Sequence, residues 1–285
     1  MRLLHQAMIP PRKASGFTLI ELALVMAILG LIAGGVVVGQ SMVRSAAVNK
    51  VAREAQQYRH ATEQFVAQYN EIPGDMATAS RLWGSAADCA QYNSGDDISL
   101  TCNGNGNRQI SDNRTVTTGN TYLLRPVERE KLVYFNHLMN AGLIEGRYTG
   151  IPVYNSSYMN NTNIGSSNVP PTALSKRDTC FVPGYWSQPG GFSSSYWGDN
   201  FALYGTWLHA GGRDVSAPNI MCGAVAFMTP QEAYELDKKY DDAKPGRGRV
   251  FGTRNTGCAT STDEETADYA LTNSAVGCSL RFKIL

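Results

Sequence analysis

The sequence has few of the residues and motifs from which enzyme active sites are built. Its four histidines, His5, His60, His137 and His209, are too scattered to suggest a catalytic triad. There is no Gly-x-Ser-x-Gly, no His-Glu-x-x-His and no phosphate-binding loop. The stretch Gly246-Arg247-Gly248 precedes a predicted strand, whereas a dinucleotide-binding motif follows a strand and opens a helix. We therefore expect no enzyme activity.

Metal-binding cysteine motifs are missing as well. None of the six cysteines forms a Cys-x-x-Cys, which disfavours a zinc or redox site. An even number of cysteines instead suits disulfide bonds in an oxidising compartment. Many pairings are formally open, but the spacing favours three local bridges in sequence order. These are Cys89 with Cys102, Cys180 with Cys222, and Cys258 with Cys278.

Neither sign of charge dominates the chain. The 25 Lys and Arg face 24 Asp and Glu, a formal net charge of +1, so we expect no nucleic acid partner. Charge is absent altogether from Leu22 to Val43. In a helix, roughly 20 apolar residues at about 1.5 Å each are enough to cross a hydrocarbon core of about 30 Å. The segment is therefore a transmembrane helix candidate.

The residues before this segment differ from a secretory signal peptide. Three basic residues, Arg2, Arg12 and Lys13, are followed by the small residue Gly16, and the apolar run comes afterwards. A secretory signal peptide has its small-residue cleavage site after a shorter apolar region. Cleavage after Gly16 would remove the leader and leave the anchor attached. The chain would then begin at Phe17, with 22 basic and 24 acidic residues, a formal net charge of −2.

One carboxylate, that of Glu21, lies inside the membrane-length segment. A charged side chain costs about 2.5 to 3.5 kcal/mol at the centre of a spanning helix and less near the interface. Such a residue needs a partner. After cleavage the amine of Phe17 would be a cation about one helical turn from Glu21. In a bundle, the amine of one subunit could neutralise Glu21 of the next.

The segment from Lys13 to Gln40, with its run Gly16-Phe17-Thr18-Leu19-Ile20-Glu21, resembles the N-terminus of the type IV pilin and type II secretion pseudopilin superfamily. The resemblance implies that a prepilin peptidase cuts between Gly16 and Phe17, that the new amine is methylated, and that Glu21 guides subunit addition. The implied partners are other pilin or pseudopilin subunits, the prepilin peptidase, the inner-membrane assembly platform and membrane lipid. A plain single-span anchor is the alternative, but it leaves Glu21 unexplained.

The helix is expected to continue beyond the membrane. Mostly apolar and aromatic residues recur at steps of three or four, so they lie along one face of the helix and form a stripe. We expect the second half of this stripe to face the core of the C-terminal domain and the first half to pack against other subunits. Pro73 should end the helix, because the residue before a proline is pushed out of the α region. The stripe consists of Val43, Ala47, Val51, Ala55, Tyr58, Thr62, Phe65 and Tyr69.

The rest of the chain is predicted to contain both helices and strands, connected by long loops. Patterns and capping signals predict helices at 126–142 and 230–239, the second capped by Thr229 and Glu232. The segments 69–76 and 135–146 are similar to large pilin-like proteins that carry a prepilin-type N-terminus. Loops are expected at 84–120 and 154–170, which are rich in polar residues. Strands are expected at 179–186, 200–208, 219–228, 248–254 and 278–284.

The expected fold class is α+β and pilin-like, with a long N-terminal transmembrane and stalk helix packed on an antiparallel sheet with disulfide-stapled loops. The domains would be a leader at 1–16, a transmembrane part at 17–40, a periplasmic continuation at 41–70 and a globular head at 71–285. The cysteines place the head in the periplasm, on a single inner-membrane pass. The protein would then enter a periplasmic pseudopilus or a surface pilus. The large size of the head favours a minor subunit.

Two clusters in the head are candidate binding sites. Aromatic residues between 185 and 207 could present a glycan or protein site and make the protein a pilus-displayed adhesin, although core packing is favoured. Three carboxylates at a helix end are calcium candidates, because Ca²⁺ takes oxygen ligands; no other cofactor is expected. The calcium candidates are Asp237, Asp241 and Asp242. The alternative is that the acids pair with nearby lysines, namely Lys238, Lys239 and Lys244.

Overall fold

The computed structural model describes residues 18–85, 101–110, 126–150, 153–155, 158–160, 169–186, 205–212, 225–253 and 257–285. The chain divides into two units, Met1–Arg44 and Ser45–Leu285. The predicted cleavage residues Gly16 and Phe17 lie outside the described residues, and so do Cys89 and Cys222.

The first helix, α1, runs from Leu19 to Tyr69. Its N-terminal part is long and apolar enough to cross a membrane, which fits a membrane anchor. The helix ends where the sequence predicts. Asn70 adopts a left-handed φ of 54°, and the chain then turns into Pro73.

Part of the stripe on α1 is buried within the second unit. Burial of Thr62 and Phe65 confirms that the second half of the stripe faces the core. Val51 and Ala55, in the first half, are buried there too, so the prediction that the first half packs against other subunits is wrong for these two residues, because the core of the domain reaches that far along the helix. Aromatic contacts extend this face into the core. Tyr58 meets the ring edges of Phe135 and Phe181 at centroid distances of 5.3 and 5.4 Å. Apolar burial of this kind is what holds the C-terminal part of the helix in the domain.

Three further helices follow within the described residues. The short α2 spans Ala79–Trp83 and was not predicted; α3 spans Pro126–Asn140 and α4 spans Pro230–Tyr240, both within two residues of the predicted bounds. At the start of α4, Thr229 Oγ1 accepts from the Glu232 N–H at 3.3 Å and Glu232 Oε2 accepts from the Thr229 N–H at 2.9 Å. This reciprocal pair is the predicted capping box.

The strands form two antiparallel sheets. The strands β1 (Val153–Asn155) and β2 (Tyr158–Asn160) pair as a hairpin. The second sheet has five strands in the order β3-β4-β5-β7-β6. The fold is therefore α+β and pilin-like, as predicted. The strands of this sheet are β3 (Pro171–Thr172), β4 (Ser175–Trp186), β5 (Gly205–Gly212), β6 (Val250–Gly252) and β7 (Leu280–Lys283).

Several predicted strand and loop bounds are wrong. The hairpin β1-β2 lies partly in the predicted loop 154–170, because backbone pairing does not need apolar side chains. The described part of the predicted strand 219–228 makes single bridges, Val225 to Gly212 and Met228 to Cys278. Burial of Phe227 and Met228 explains its apolar character without a strand. The strand β5 continues to Gly212, since β4 supplies partners along its whole length.

Part of the predicted surface loop 84–120 is anchored in the domain. The buried carboxylate of Asp75 accepts from the backbone N–H groups of Gly106, Asn107 and Arg108 at 2.8, 3.1 and 2.6 Å. Ile110 is fully buried. Residues 101–110 thus form a loop that is exposed from Asn105 to Arg108, as predicted, but a carboxylate distant in sequence satisfies its backbone donors and ties it to the domain.

One disulfide is fully described, Cys258–Cys278, and it confirms the third predicted pairing. Both of its cysteines are fully buried. Cys102 and Cys180 are also disulfide-bonded. Their predicted partners lie outside the described residues, so those two pairings stay predictions.

Candidate functional site

The start of α1 carries a capping arrangement around Glu21. Glu21 Oε2 accepts from both the N–H and the hydroxyl of Thr18, each at 2.8 Å. The Glu21 N–H in turn donates to Thr18 Oγ1 at 3.3 Å. Thr18 is therefore the N-cap and Glu21 the third helical residue of a capping box. The Thr-x-x-Glu spacing that signals this box was present in the sequence, and the sequence reasoning missed it.

The capping box fixes the position of the Glu21 carboxylate. A carboxylate in the first turn interacts favourably with the unpaired N–H groups of the helix start. Both hydrogen bonds from Thr18 go to Oε2, and Oε1 has no hydrogen-bond partner among the described residues. A carboxylate oxygen of this kind can accept a further donor. The arrangement thus presents an oriented acceptor at the helix start, where an amine could bind.

The three candidate calcium ligands come together in the structure. Asp237, Asp241 and Asp242 each offer an oxygen within 4.8 Å of the others. Asp237, on α4, is fully buried, and its Oδ2 accepts from the Tyr269 hydroxyl at 2.8 Å. Asp241 Oδ2 accepts from the N–H groups of Arg249 and Val250. The end of α4 and the loop before β6 therefore hold the cluster.

The cluster affects the ionisation of its buried member. Burial raises the pKa of Asp237 to about 8, and the hydrogen bond from Tyr269 opposes this rise without cancelling it. The Asp241 and Asp242 carboxylates raise the pKa further, each by less than Tyr269 lowers it, and a hydrogen bond from the Ala243 backbone lowers it slightly. Removing a carboxylate from water disfavours its charged form, and two nearby negative charges add to that cost.

The alternative that nearby lysines neutralise the cluster is not what the structure shows. Lys244 Nζ pairs with Asp268 at 2.5 Å, and Lys239 Nζ donates to Asn49 Oδ1 at 2.9 Å. Lys238 Nζ lies over the Tyr234 ring, 5.5 Å from its centroid. All three lysines thus have partners outside the cluster.

The described part of the aromatic cluster is packed inside the domain. Trp207 is buried in contact with Phe251, at a ring-centroid distance of 4.8 Å. Most of the other aromatic residues of this segment lie outside the described residues. Trp207 therefore fits the core-packing interpretation.

His137 has a structural environment. It is fully buried in α3, where Nδ1 accepts from the Gly74 N–H at 2.9 Å and Nε2 donates to the Cys102 carbonyl at 3.0 Å. Burial lowers the pKa of His137 to about 4. His60 instead lies at the surface, with Nδ1 3.2 Å from Glu63 Oε2. These surroundings do not bring the two histidines together as a catalytic pair.

Comparison with known proteins identifies the N-terminal segment. A family model described as the prokaryotic N-terminal methylation motif matches residues 11–37, nearly the same residues that carry the resemblance. This motif is the signature of type IV pilins and pseudopilins, a class that is structural rather than enzymatic. The N-terminal segment therefore carries the signature found at the start of type IV pilin and pseudopilin-type substrates. No curated protein and no solved structure matches the chain.

Proposed function

We propose that this protein is a structural subunit of a type IV pilus or a type II secretion pseudopilus, assembled after prepilin peptidase cleavage between Gly16 and Phe17. One observation carries the proposal: the methylation motif at residues 11–37 includes the start of α1, a helix apolar enough to anchor the chain. The α+β head supports it, because its architecture is pilin-like.

The geometry of the helix start supports a role for Glu21 in assembly. Cleavage would create a charged amine at Phe17, and the Thr18 hydrogen bonds hold the Glu21 carboxylate at the first turn of α1. An amine from a neighbouring subunit would find an oriented acceptor there. A charge pair inside the membrane would also reduce the cost of inserting either charge alone.

The proposed location is the inner membrane, with a single pass and a periplasmic head. The disulfide Cys258–Cys278 supports this orientation, since such bonds persist in oxidising compartments. The proposed domains are a leader at 1–16, a span at 17–40, a periplasmic continuation at 41–70 and a head at 71–285. Burial on α1 from Val48 onward indicates that the continuation contributes to the core of the head.

We propose a minor rather than a major subunit, because the head is large. A display role as an adhesin is the second candidate from the sequence, and it rests on the aromatic residues between 185 and 207. It requires that replacing Trp186 or Trp197 abolish attachment while the protein stays folded and assembled. Burial of Trp207 supports packing for that member of the cluster instead.

The test is mass spectrometry of the mature N-terminus, combined with shearing of cells that express the full chain. We expect a chain that begins at a methylated Phe17. Recovery in the sheared fraction would favour a surface pilus, and retention with the envelope would favour a pseudopilus. Gly16→Leu is the matched control, since a bulky residue at the cleavage site should leave the leader attached. An intact leader on the wild-type protein would overturn the proposal.

A further inference from the structure

We propose that a basic groove between α1 and the β6 edge of the five-stranded sheet binds the acidic loop Cys258–Cys278 of a second copy of this chain. The inference deepens the proposed function, on which it rests, because it names a contact through which one copy would hold another in a fibre. The groove and the loop both belong to the unit Ser45–Leu285.

The basic groove consists of two adjoining cavities that share three basic lining residues, Arg59, Arg249 and Lys283. The wider cavity has a volume of about 530 Å³ and the narrower one a volume of about 170 Å³. The first volume lies within the range of about 300 to 1,000 Å³ that is usual for ligand sites. Arg59 comes from α1, Arg249 from the segment before β6 and Lys283 from β7, so three separate parts of the head place positive charge at one opening.

Two of these cations have no carboxylate partner. Within the described residues, neither Arg249 nor Lys283 forms an ion pair. Arg59 is paired through Nε with Glu63 Oε1 at 2.8 Å. The other acid that lines the groove, Asp241, accepts backbone N–H groups at its Oδ2. The groove therefore keeps an excess of positive charge, which suits an acidic ligand.

The loop closed by the disulfide Cys258–Cys278 has the complementary charge. It contains four acidic residues and no Lys, Arg or His. Asp263 and Glu265 are exposed, and among the described residues neither forms an ion pair with a basic side chain. Leu271 and Val276 of the same loop are exposed as well, at 47% and 54%. The loop thus offers both negative charge and apolar surface to a partner. Its acids are Asp263, Glu264, Glu265 and Asp268.

Internal hydrogen bonds hold the loop in one shape before it meets a partner. The Thr260 N–H donates to the Asp268 carbonyl at 2.8 Å. Asp263 Oδ1 accepts from the N–H groups of Glu265 and Thr266, each at 3.0 Å. A loop that is already ordered loses little conformational freedom when it docks, so a larger share of each contact contributes to binding.

One copy cannot fill its own groove with its own loop. Neighbouring residues of a strand point to opposite faces of a sheet. Val250 of β6 lines the narrower cavity together with Ala52 of α1, whereas the next residue, Phe251, packs with Ala267 of the loop. The loop therefore covers the face of the sheet that lies away from the groove, and a second copy is needed to bring loop and groove together.

The resulting contact joins two unlike surfaces, the groove of one copy and the loop of the next. Such a contact leaves an unused groove at one end of a pair and an unused loop at the other, so it can repeat along a helical fibre. Exposed ion pairs are individually weak. The contact should therefore form where anchored copies are already concentrated, as in a membrane or a fibre.

Photocrosslinking of the full-length protein in intact cell envelopes tests the contact. The photoreactive residue p-benzoylphenylalanine replaces Gln56, which is exposed and lines the narrower cavity. We expect irradiation to give a covalent dimer whose peptide map joins position 56 of one copy to residues 259–277 of another. If the probe reacts with any other segment or protein instead, or with none, the proposal is overturned.

Gln57 is the matched control position for the probe. It is also an exposed glutamine of α1, it lies about 100° further around the helix, and it does not line the groove. The same photoreactive residue at this position should not react with residues 259–277. Equal yields of the loop product from both positions would overturn the proposal, because the loop would then not be seated in the groove.

Charge reversals test whether the groove recognises the loop by its charge. Arg249→Glu and Glu265→Lys should each lower the yield of the dimer by about fivefold or more, because like charges then face each other. The double variant restores opposite charges and should recover most of the yield. Both side chains are exposed and have no partner among the described residues, so the melting temperature should stay unchanged.

Arg147→Glu is the control for these reversals, since it changes an exposed basic residue outside the groove and should leave the yield unchanged. Equal yields in all variants would overturn the proposal, and so would a double variant that is no better than either single variant. Mass spectrometry of the mature N-terminus in the same samples separates this contact from the proposed function. An intact leader counts against the proposed function, whereas a chain that begins at Phe17 and gives no loop product counts against the contact alone.

Discussion

At the scale of single residues, His137 connects three segments that are distant in sequence. It lies on α3, accepts from Gly74 in the turn after α1, and donates to the Cys102 carbonyl. Its ring also stacks near Phe65, at a centroid distance of 6.2 Å. The interaction requires a neutral ring, with one nitrogen accepting and the other donating. Protonation would remove the acceptor on which the Gly74 contact depends.

This predicts a specific loss of stability in acid. The pKa of His137 is about 4 in the folded protein and about 6.5 in an unfolded chain. Between these values the unfolded chain binds more protons, so the free energy of unfolding should fall as pH drops from 6.5 to 4. The free energy of unfolding lost through this residue should reach about 3 kcal/mol, since each pKa unit of difference corresponds to about 1.4 kcal/mol. Urea unfolding at each pH measures it.

The variant His137→Gln is the control for this pH dependence. The carboxylates titrate in both proteins, so their contributions cancel in the difference between the two free energies of unfolding. The variant should be less stable at pH 7 and show a shallower dependence on pH. Parallel curves for the two proteins between pH 6.5 and 4 would contradict the assignment.

Asp75 is the residue that holds the 101–110 segment. Asp75→Ala removes the acceptor of three backbone N–H groups and should destabilise the head by about 3 kcal/mol, since hydrogen bonds to charged groups contribute more than neutral ones. Trypsin should then cut faster after Arg108, which is exposed. Timed digestion and urea unfolding measure the two effects. Glu145→Ala, at an exposed position, should change neither; equal cleavage rates in both variants would refute the role.

At the scale of elements, local signals predicted the helices well and the strands less well. Periodic apolar residues and capping residues lie within each helix, so α1, α3 and α4 could be read from short stretches. Strand bounds depend on partners elsewhere in the chain. The strand β5 includes Gly211 and Gly212, poor strand formers, because they pair with Cys180 and Thr179 of β4. No local pattern contains that information.

The capping box of α4 is directly testable. Thr229→Ala removes one half of the box and should lower the free energy of unfolding by about 1 kcal/mol. Thr229→Ser keeps the hydroxyl and should cost much less. Urea unfolding of both variants beside the wild type gives the comparison. An alanine variant as stable as the serine variant would mean that the side-chain hydrogen bond contributes nothing.

The disulfide Cys258–Cys278 should stabilise the head by closing a loop. Its sequence separation of 20 residues corresponds to about 3 kcal/mol from restriction of the unfolded chain. The double variant Cys258→Ala with Cys278→Ala should therefore have a free energy of unfolding lower by that amount, and it should unfold at a lower urea concentration. Single variants would leave an unpaired thiol and serve as a check for mispairing. Unchanged stability of the double variant would contradict the expectation.

At the scale of the whole molecule, the fold class followed from the sequence and the strand order did not. The sequence predicts a membrane-length helix, a continuation of that helix with an apolar stripe on one face, and several short strands. This combination is enough to indicate an α+β pilin-like protein. The order β3-β4-β5-β7-β6 depends on contacts between distant segments. The aspartate cluster was visible as three nearby acids, but the distribution of lysines away from it required the structure.

Assembly should depend on Glu21 separately from processing. Glu21→Ala removes the carboxylate but leaves the cleavage residues, so the mature N-terminus should appear normally while fibre yield falls at least several-fold. Glu21→Asp keeps the charge on a shorter side chain and should retain part of the yield. Shearing followed by immunoblotting measures yield, and mass spectrometry measures processing. Normal fibre formation by the alanine variant would refute charge pairing as the basis of assembly.

The position of β7 between β5 and β6 also determines the order in which the head can form. Leu280–Lys283 lies between β5 and β6, so the ribosome completes both neighbours before the strand that joins them. Until then β6 has no partner on that side, and the sheet is exposed to proteases and to other chains. Partly made chains should therefore be the most vulnerable form of this protein.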